Sequence, residues 1–262
     1  MKTIKIAIII FLLTFGLSVF AAESAENAGL YPLGAFLKTS LDPRGFAMGE
    51  ASVALGNTLG AGIFYNPAAL GRLNKSEFTL GSYYFTSPGI KMDYFGLAKN
   101  FGDIFTLSFG VIQCDTGTQE RTDISGAVIG DFKNKSSATF FSFGGMYGPG
   151  LFFGFGIKYI EETLAGKYGK TVTTDIGTIY VPPAFTRLGF GVSIMNIPLA
   201  QPVQFLSENT KVASTYKIGW FIHAIETEEI VWTFAWDNNI PQDGRFQMNI
   251  GTEFNFYDFL YI

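Results

Sequence analysis

The stretch that decides the fold is residues 246–256, which reads Phe-Gln-Met-Asn-Ile-Gly-Thr-Glu-Phe-Asn-Phe. Its even positions are apolar apart from Thr252, and its odd positions are polar or glycine. Because successive side chains of a β-strand point to opposite faces, this period of two predicts a strand with one apolar and one polar face.

The same alternation recurs upstream. The apolar positions of four further stretches are Phe105, Leu107, Phe109 and Val111; Leu151, Phe153, Phe155, Ile157 and Tyr159; Leu188, Phe190, Val192 and Ile194; and Ile230, Trp232, Phe234 and Trp236. The apolar face is rich in aromatic residues, whereas the other face is mostly Gly, Ser, Thr, Asn and Gln. Most stretches run about ten residues, the length that a tilted strand needs to cross a membrane, and soluble strands average about five or six. The sequence therefore predicts membrane-spanning strands around a filled or wet interior.

Ten full strands are predicted, and their connections alternate in length. The strands are 76–85, 91–99, 104–113, 136–147, 151–162, 171–180, 185–197, 215–225, 230–238 and 246–256. The short turns of one side are 100–103, 148–150, 181–184, 226–229 and 257–258, and the other side has the long loops 114–135 and 198–214 and the medium loops 163–170 and 239–245. Short turns on one side and long loops on the other are typical of outer-membrane barrels. Gly148, Pro149 and Gly150 divide the uncharged stretch 139–157 into strand, turn and strand rather than a helix.

The predicted fold class is an all-β, antiparallel, up-and-down transmembrane barrel of about ten to fourteen strands in the full protein. Residues 259–262 begin an eleventh strand. Single-chain bacterial barrels have an even strand number and must close, because unpaired backbone groups in lipid cost several kcal/mol each. We therefore expect a barrel that is incomplete at Ile262, and a ten-stranded barrel with a short tail is the alternative.

Three regions are predicted along the chain. Residues 1–21 read as a cleaved secretory signal peptide, with Lys2 and Lys5 before an apolar run and Ala21 and Ala22 after it. A retained N-terminal anchor helix is the alternative. Residues 22–75 form an N-terminal plug, and residues 76–262 form the barrel strands.

Composition and single residues exclude several function classes. With 48% hydrophobic, 16% aromatic and only 15% charged residues, the chain is unusual for a soluble domain. A net charge of −4 without a basic cluster argues against nucleic acid. One cysteine, Cys114, and one histidine, His223, leave neither a disulfide framework nor a His/Cys metal site, and no nucleophile signature accompanies His223. We expect no cofactor, no metal and no enzymatic activity.

The plug region differs in composition from the strands, because residues 41–73 are rich in glycine and alanine. We expect Asn66 to cap a short helical turn that starts with Pro67, runs through Leu70 and ends at Gly71. Arg44 should pair with a carboxylate of the interior, because an uncompensated buried charge is costly. Glu50 and Glu253 are the candidates for that partner.

Two segments of this region resemble the family of FadL and PorV-like outer-membrane proteins. They read Pro-Arg-Gly-Phe-Ala-Met-Gly-Glu-Ala at 43–51 and Ile-Phe-Tyr-Asn-Pro-Ala-Ala-Leu at 63–70. The resemblance implies that Asn66, Pro67 and Ala68 match the family's plug motif. It also implies that the small-residue segment preceding the motif is represented by Arg44, Met48, Gly49 and Ala51. The chain departs from the family at Gly56, Asn57 and Thr58, where members commonly carry acidic residues. Family barrels have fourteen strands.

The resemblance implies a plugged barrel in the cell outer membrane, reached through the cleaved signal peptide. Its expected function is uptake or passage of hydrophobic small molecules such as long-chain fatty acids. A PorV-like scaffold or shuttle for protein secretion is the alternative, and a soluble or surface-attached β protein is a further one. The expected partners are outer-membrane lipid, a hydrophobic small-molecule ligand or proteins of a secretion system, and no nucleic acid.

Overall fold

The computed structural model describes residues 33–85, 89–199, 203–205, 208–210, 212–257 and 259–262, so the predicted signal peptide lies outside the described residues. In the described part, short helices precede the strands. The helices are a first 3₁₀ helix (Ala35–Lys38), α1 (Pro43–Ala47), α2 (Leu59–Phe64) and a second 3₁₀ helix (Pro67–Arg72). None of the described helices is long and apolar enough to cross a membrane. The strands are β1 (Glu77–Phe85), β2 (Ile90–Asn100), β3 (Phe105–Thr122), β4 (Val128–Gly148), β5 (Leu151–Leu164), β6 (Lys167–Tyr180), β7 (Leu188–Pro198), β8 (Val203–Phe205), β9 (Glu208–Thr210), β10 (Thr215–Glu226), β11 (Ile230–Pro241), β12 (Gln247–Phe256) and β13 (Leu260–Tyr261).

Eleven of the strands form one antiparallel up-and-down sheet. Each strand pairs with the next along the chain from β1 to β7 and from β10 to β13, and β7 pairs with β10. Strands β8 and β9 form a separate hairpin within the connection that was predicted as the loop 198–214. The all-β, up-and-down prediction is confirmed. The sheet is not closed in the described residues, where β1 and β13 are its two edges.

The predicted alternation is confirmed by side-chain exposure. Along β5, Phe153, Phe155 and Ile157 are exposed, whereas Gly154 and Lys158 between them are buried. Strand β12 repeats this pattern, with Met248 and Ile250 exposed, whereas β11 departs from it, because residues 235–239 are all buried. One face of the sheet, the outer face, therefore presents apolar side chains, and the inner face presents small and polar ones together with a few large apolar residues such as Ile112 and Phe140.

The inner face packs against the chain that precedes β1, which we term the inner segment (residues 33–73). Its second 3₁₀ helix contacts β3, β4, β5 and β6. The Leu59 N–H donates to Glu77 on β1, and the Met48 carbonyl lies against Gly251 on β12. Because one short segment reaches strands near both edges, the sheet must curve around it. The buried apolar cluster accordingly combines inner-segment residues such as Leu41, Leu59 and Tyr65 with inner-face residues of the strands.

The stretch 139–157 is a strand, a tight turn and a strand, as predicted. Strand β4 ends at Gly148 and β5 begins at Leu151. Gly150 has a φ of 72°, which disfavours other residues, and a Cβ there would lie 1.9 Å from the Val181 carbonyl oxygen. Both backbone conformation and space therefore require glycine at this position.

The predicted loop 114–135 is wrong, because β3 and β4 continue through most of it as a hairpin. Pairing resumes at Thr118↔Lys133 after a register shift and continues to Thr122↔Val128. We call this projection (residues 116–134) the arm. The Asp123 carboxylate closes its turn by accepting from the N–H groups of Ser125 (2.8 Å) and Ala127 (3.0 Å). The arm has no apolar face, so hydrophobic periodicity could not reveal it.

Two medium loops are also shorter than predicted. Strands β5 and β6 extend until only Ala165 and Gly166 separate them, in place of the loop 163–170. Strand β11 continues to Pro241, into the predicted loop 239–245. The extensions, residues 163–164, 167–170 and 239–241, are too short to show a period of two in the sequence.

We expect the arm to be dispensable for folding. Deletion of residues 118–133 leaves Thr116, Gly117 and Asn134 as the connection and preserves the bond from the Ala165 N–H to the Asn134 side chain (2.9 Å). Because closure entropy changes little with loop length, the free energy of unfolding should fall by less than about 1 kcal/mol. A urea titration followed by tryptophan fluorescence measures it. A loss of several kcal/mol would mean that the arm packs against the rest of the protein.

Candidate functional site

All seven residues of the predicted plug motif belong to the inner segment. They are Arg44 on α1; Met48, Gly49 and Ala51 in the turn that follows; and Asn66, Pro67 and Ala68 at the start of the second 3₁₀ helix. Met48, Ala51, Asn66 and Ala68 are almost completely buried. The structure thus brings the two sequence segments into one body that lies against the inner face.

Asn66 connects three parts of the structure through hydrogen bonds. It caps the second 3₁₀ helix as predicted, with its Oδ1 accepting from the Ala68 N–H at 3.0 Å. Its Nδ2 donates to the carbonyl oxygens of Val53 (2.9 Å) and Thr178 (3.0 Å). One side chain therefore joins the helix, the turn around Val53 and strand β6, and aspartate could not make the two donor bonds.

The prediction that Gly71 ends the helical turn is wrong. The second 3₁₀ helix continues through Arg72, and Leu73 follows it. A Cβ on Gly71 would lie 2.8 Å from the backbone nitrogen of Gly145 on β4. Glycine is needed there because two backbones meet, and not because the helix stops.

Glycines of the inner face form a seat for the inner segment. A Cβ on Gly154 would lie 2.1 Å from the carbonyl carbon of Pro67, and a Cβ on Gly177 would lie 2.0 Å from the Asn66 Oδ1. The same holds for Gly191 against the Val53 carbonyl oxygen and for Gly251 against the Met48 carbonyl oxygen, at 2.5 and 2.3 Å. At three of these glycines the sheet and the inner segment therefore touch backbone to backbone, and at Gly177 the strand backbone touches the Asn66 side chain, closer than any added side chain would permit.

Three carboxylates of the strands accept hydrogen bonds from backbone N–H groups of the inner segment. The acceptors are Asp237 on β11 for Ser52 (2.6 Å) and Val53 (2.7 Å), Glu77 on β1 for Leu59, and Glu162 on β5 for Gly34 (2.9 Å). These N–H groups lack a secondary-structure partner, and a buried donor without one is costly. Sequence reasoning missed all three anchors, since only polarity at inner-face positions marked them.

Arg44 is paired with Glu253, one of its two candidate partners. Its Nε and Nη2 each lie 2.7 Å from a Glu253 oxygen, and its Nη1 donates to Asn57 at 2.7 Å. The guanidinium also lies over the Tyr261 ring, 5.7 Å from its centroid. Burial lowers the pKa of Arg44, but the hydrogen bonds and charge of Glu253 outweigh burial and hold the pKa above its ordinary value. A charged bidentate bond thus fixes α1 to β12.

Arg72 has a different environment. Its Nη1 donates to the Ala54 carbonyl oxygen at 3.0 Å, and the guanidinium lies 5.2 Å from the centroid of the Phe221 ring. Burial, together with the positive charge of Arg44, lowers the pKa of Arg72 to about 10. The side chain remains charged at neutral pH and holds the turn at Ala54 and Leu55 to the end of the helix.

The described residues contain no group of three or more His, Cys, Asp or Glu side chains that could hold a metal ion. The Nδ1 of His223 lies 2.9 Å from the Thr233 hydroxyl, which occupies that nitrogen. No known protein family matches the chain, and no curated protein shows significant sequence similarity to it.

Substitution of Gly154 tests directly whether the glycines of the inner face contact the backbone of the inner segment. We expect Gly154→Ala to lower the free energy of unfolding by about 1–3 kcal/mol, because the added methyl group overlaps the backbone at Pro67. Gly148→Ala is the matched control, since a Cβ there meets nothing within 4 Å, and its effect should stay within about 0.5 kcal/mol. Equal effects of the two substitutions in a urea titration would rule out the close contact.

The Arg44 pair gives a second prediction. Arg44→Met should cost about 3 kcal/mol of unfolding free energy, because Glu253 would remain as a buried charge without its partner. The control is Arg187→Met, which breaks the exposed pair with Glu226 and should cost less than about 1 kcal/mol. Adding Glu253→Gln to Arg44→Met should recover part of the loss. Additive effects in this double-mutant cycle would contradict the pairing.

Proposed function

We propose that this chain is an outer-membrane β-barrel protein whose interior is occluded by the inner segment, and that it serves the passage of hydrophobic small molecules such as long-chain fatty acids. The observation that carries the proposal is the outer face of the sheet. The resemblance at 43–51 and 63–70 supports the same function class. The inner segment is then the plug, and the lipid of the outer membrane contacts the apolar side chains.

The apolar outer face is too extensive for a protein that is surrounded by water. Its exposed members include Leu97, Leu107, Phe141, Phe155, Ile157, Val192 and Ile250, which lie on six different strands. Soluble monomers rarely expose contiguous apolar patches larger than a few hundred Å². Contact with lipid removes the free-energy cost of exposing these apolar side chains to water.

Aromatic residues border the apolar face at both ends. At the end with the short turns they are Phe101, Tyr147, Tyr180 and Tyr257, and at the other end they are Tyr84, Tyr159, Tyr168 and Tyr216, all exposed. Beyond Tyr159 the outer face becomes charged, with Asp93, Asp115, Lys135 and Glu161 side by side on four strands. Aromatic girdles followed by charge are typical of both interfaces of a membrane barrel.

The height of the apolar face suits a bilayer. From Leu151, which pairs with Tyr180, to Tyr159 there are eight residue steps on β5. At about 3.3 Å a residue this distance is about 26 Å along the strand, and a tilt of about 40° reduces it to about 20 Å. Transmembrane barrels have an apolar band of about 25 Å.

The packed interior argues against a water-filled pore, because glycine-backbone contacts and ionic anchors hold the inner segment against the sheet. A cavity of about 670 Å³ lies between β1 and β12–β13. Its lining combines apolar side chains, including Met48, Tyr261 and Ile262, with two cations, Arg44 and Lys75, and two anions, Glu77 and Glu253. Since Arg44 is already paired with Glu253, this cavity does not identify the transported molecule.

A scaffold for protein secretion is the second candidate function, and the arm is the observation that favours it. The arm extends past the charged end of the outer face and pairs with no other strand of the described chain. Ile124, Val128 and Ile129 are exposed at its end. A projecting ribbon with an apolar tip and two free edges offers a surface for a partner protein.

Membrane location is tested by expressing the full chain in a diderm bacterium and separating the outer membrane from the soluble fractions. We expect the protein in the outer membrane, resistant to carbonate extraction and soluble only with detergent. A matched pair of variants sharpens the test: Phe141→Lys on the outer face should abolish insertion, whereas Lys135→Phe beyond the aromatic border should not. Folded protein in the aqueous fraction would contradict the membrane proposal.

The two functions are separated by one strain that lacks the gene and one that carries the arm deletion. Loss of labelled fatty-acid uptake in the first strain, with normal uptake in the second, supports passage of hydrophobic molecules. Normal uptake in both strains, together with loss of co-purifying secretion proteins when the arm is removed, supports the scaffold. Normal uptake and no arm-dependent partner would contradict both functions while leaving the location intact.

A further inference from the structure

A second cavity, of about 100 Å³, lies between the inner segment and strands β3, β5, β7, β10 and β11. We call it the chamber. The polar side chains around it include Glu50 and Tyr65 from the inner segment and Lys158, Lys217 and Asn239 from the strands, and apolar residues such as Phe64 and Ile112 complete the lining. It has room for about three water molecules at about 30 Å³ each, or for one solute of about five heavy atoms.

Two opposite charges that border the chamber have no ionic partner among the residues the structure describes. The Lys217 Nζ lies 4.8 Å from the centroid of the Tyr65 ring and makes no ion pair. The Glu50 carboxylate takes part in neither an ion pair nor a hydrogen bond with any described residue. Lys158 differs from them, because it is bound to Asp175 at 2.9 Å and to Asn196 at 3.1 Å. The chamber therefore has one cation and one anion that contact no opposite charge of the described chain, although Glu50 and Asp237 attract Lys217 from a longer distance.

Two neutral groups at the chamber also have hydrogen-bonding capacity left over. The Asn239 Oδ1 has no hydrogen-bond partner within the described residues although Asn239 is only 3% exposed, and the Tyr65 hydroxyl, of a residue only 1% exposed, has the Ser40 side chain as its one polar neighbour among them. Buried polar atoms are normally bonded, so such atoms at a cavity indicate that a polar occupant belongs there. Hydroxyl, amide oxygen, ammonium and carboxylate together offer both donors and acceptors.

Glu50 is held at the chamber by an unusual backbone conformation. Its φ of 64° lies in the left-handed region, which is unfavourable for a residue other than glycine. Its N–H donates to the Gly45 carbonyl oxygen at 2.8 Å, and its own carbonyl accepts from the Asn249 Nδ2 at 3.3 Å. These bonds terminate helix α1 and fix the position from which the Glu50 side chain extends.

We propose that the chamber binds a small zwitterion, a solute of about five heavy atoms that carries one carboxylate and one ammonium group, such as glycine. Lys217 receives the carboxylate with help from the Tyr65 hydroxyl, and Glu50 receives the ammonium with help from the Asn239 Oδ1. A solute with a single charge satisfies one pole and leaves the other unpaired, so the pair of charges selects for a zwitterion. Binding of this solute does not depend on whether the outer face contacts lipid.

Calorimetric titration of the purified full chain with glycine, to about 20 mM, tests the proposal, since a ligand of this size binds in the millimolar range. Acetate and methylammonium are titrated in parallel as solutes with one charge each. We expect saturable binding of glycine, and weaker binding of the other two. Absence of saturable binding, or binding of acetate or methylammonium as tight as that of glycine, would overturn the proposal without any variant.

Two substitutions test which residue binds the carboxylate of glycine and which binds its ammonium group. Lys217→Met and Glu50→Gln should each weaken glycine binding at least about tenfold, because each removes a hydrogen bond to a charged group. The controls are Lys135→Met and Glu229→Gln, which alter exposed residues and should leave binding unchanged. Circular dichroism and the melting temperature establish that each variant is folded. A folded Lys217→Met protein that binds glycine as the unaltered chain does would refute the assignment.

Discussion

The structure depends on satisfying the polar backbone of the inner segment inside a sheet whose other face is apolar. Residues 33–73 contain only short helices, so many of their N–H groups have no partner within secondary structure. Asp237, Glu77 and Glu162 supply acceptors from three separate strands. The glycines of the inner face let the strands approach closely enough for these bonds to form, and Asn66 closes the set with donors to Val53 and Thr178.

Much of this arrangement could be predicted from local sequence, because it follows from a period of two and from capping chemistry. The features that local sequence predicts are the long strands, the turn at residues 148–150 and the cap at Asn66. The arm escaped prediction because its few apolar residues, such as Val128 and Ile129, do not alternate with polar ones. The pairing of Asp237 with Ser52 links residues 185 positions apart, and the choice of Glu253 over Glu50 for Arg44 depends on register across the whole sheet. No local pattern encodes such contacts.

Glycine had two roles that the sequence alone does not separate. Gly150 needs its left-handed conformation, whereas Gly71 and Gly154 need the absence of a side chain. The second role explains why glycine recurs where the inner face meets the inner segment: the space is occupied by another part of the chain.

The central claim is that lipid surrounds the outer face, and two of the three tryptophans of the chain report on it directly. Trp220 and Trp232 lie on that face, since Phe221 and Thr233 next to them are buried against the interior, whereas Trp236 is only 3% exposed and serves as an internal reference. Tryptophan fluorescence is measured after reconstitution into vesicles of ordinary and of brominated phospholipid. We predict strong quenching by brominated acyl chains and little quenching by iodide in the water. Emission that iodide quenches and brominated lipid leaves unchanged would contradict the membrane account.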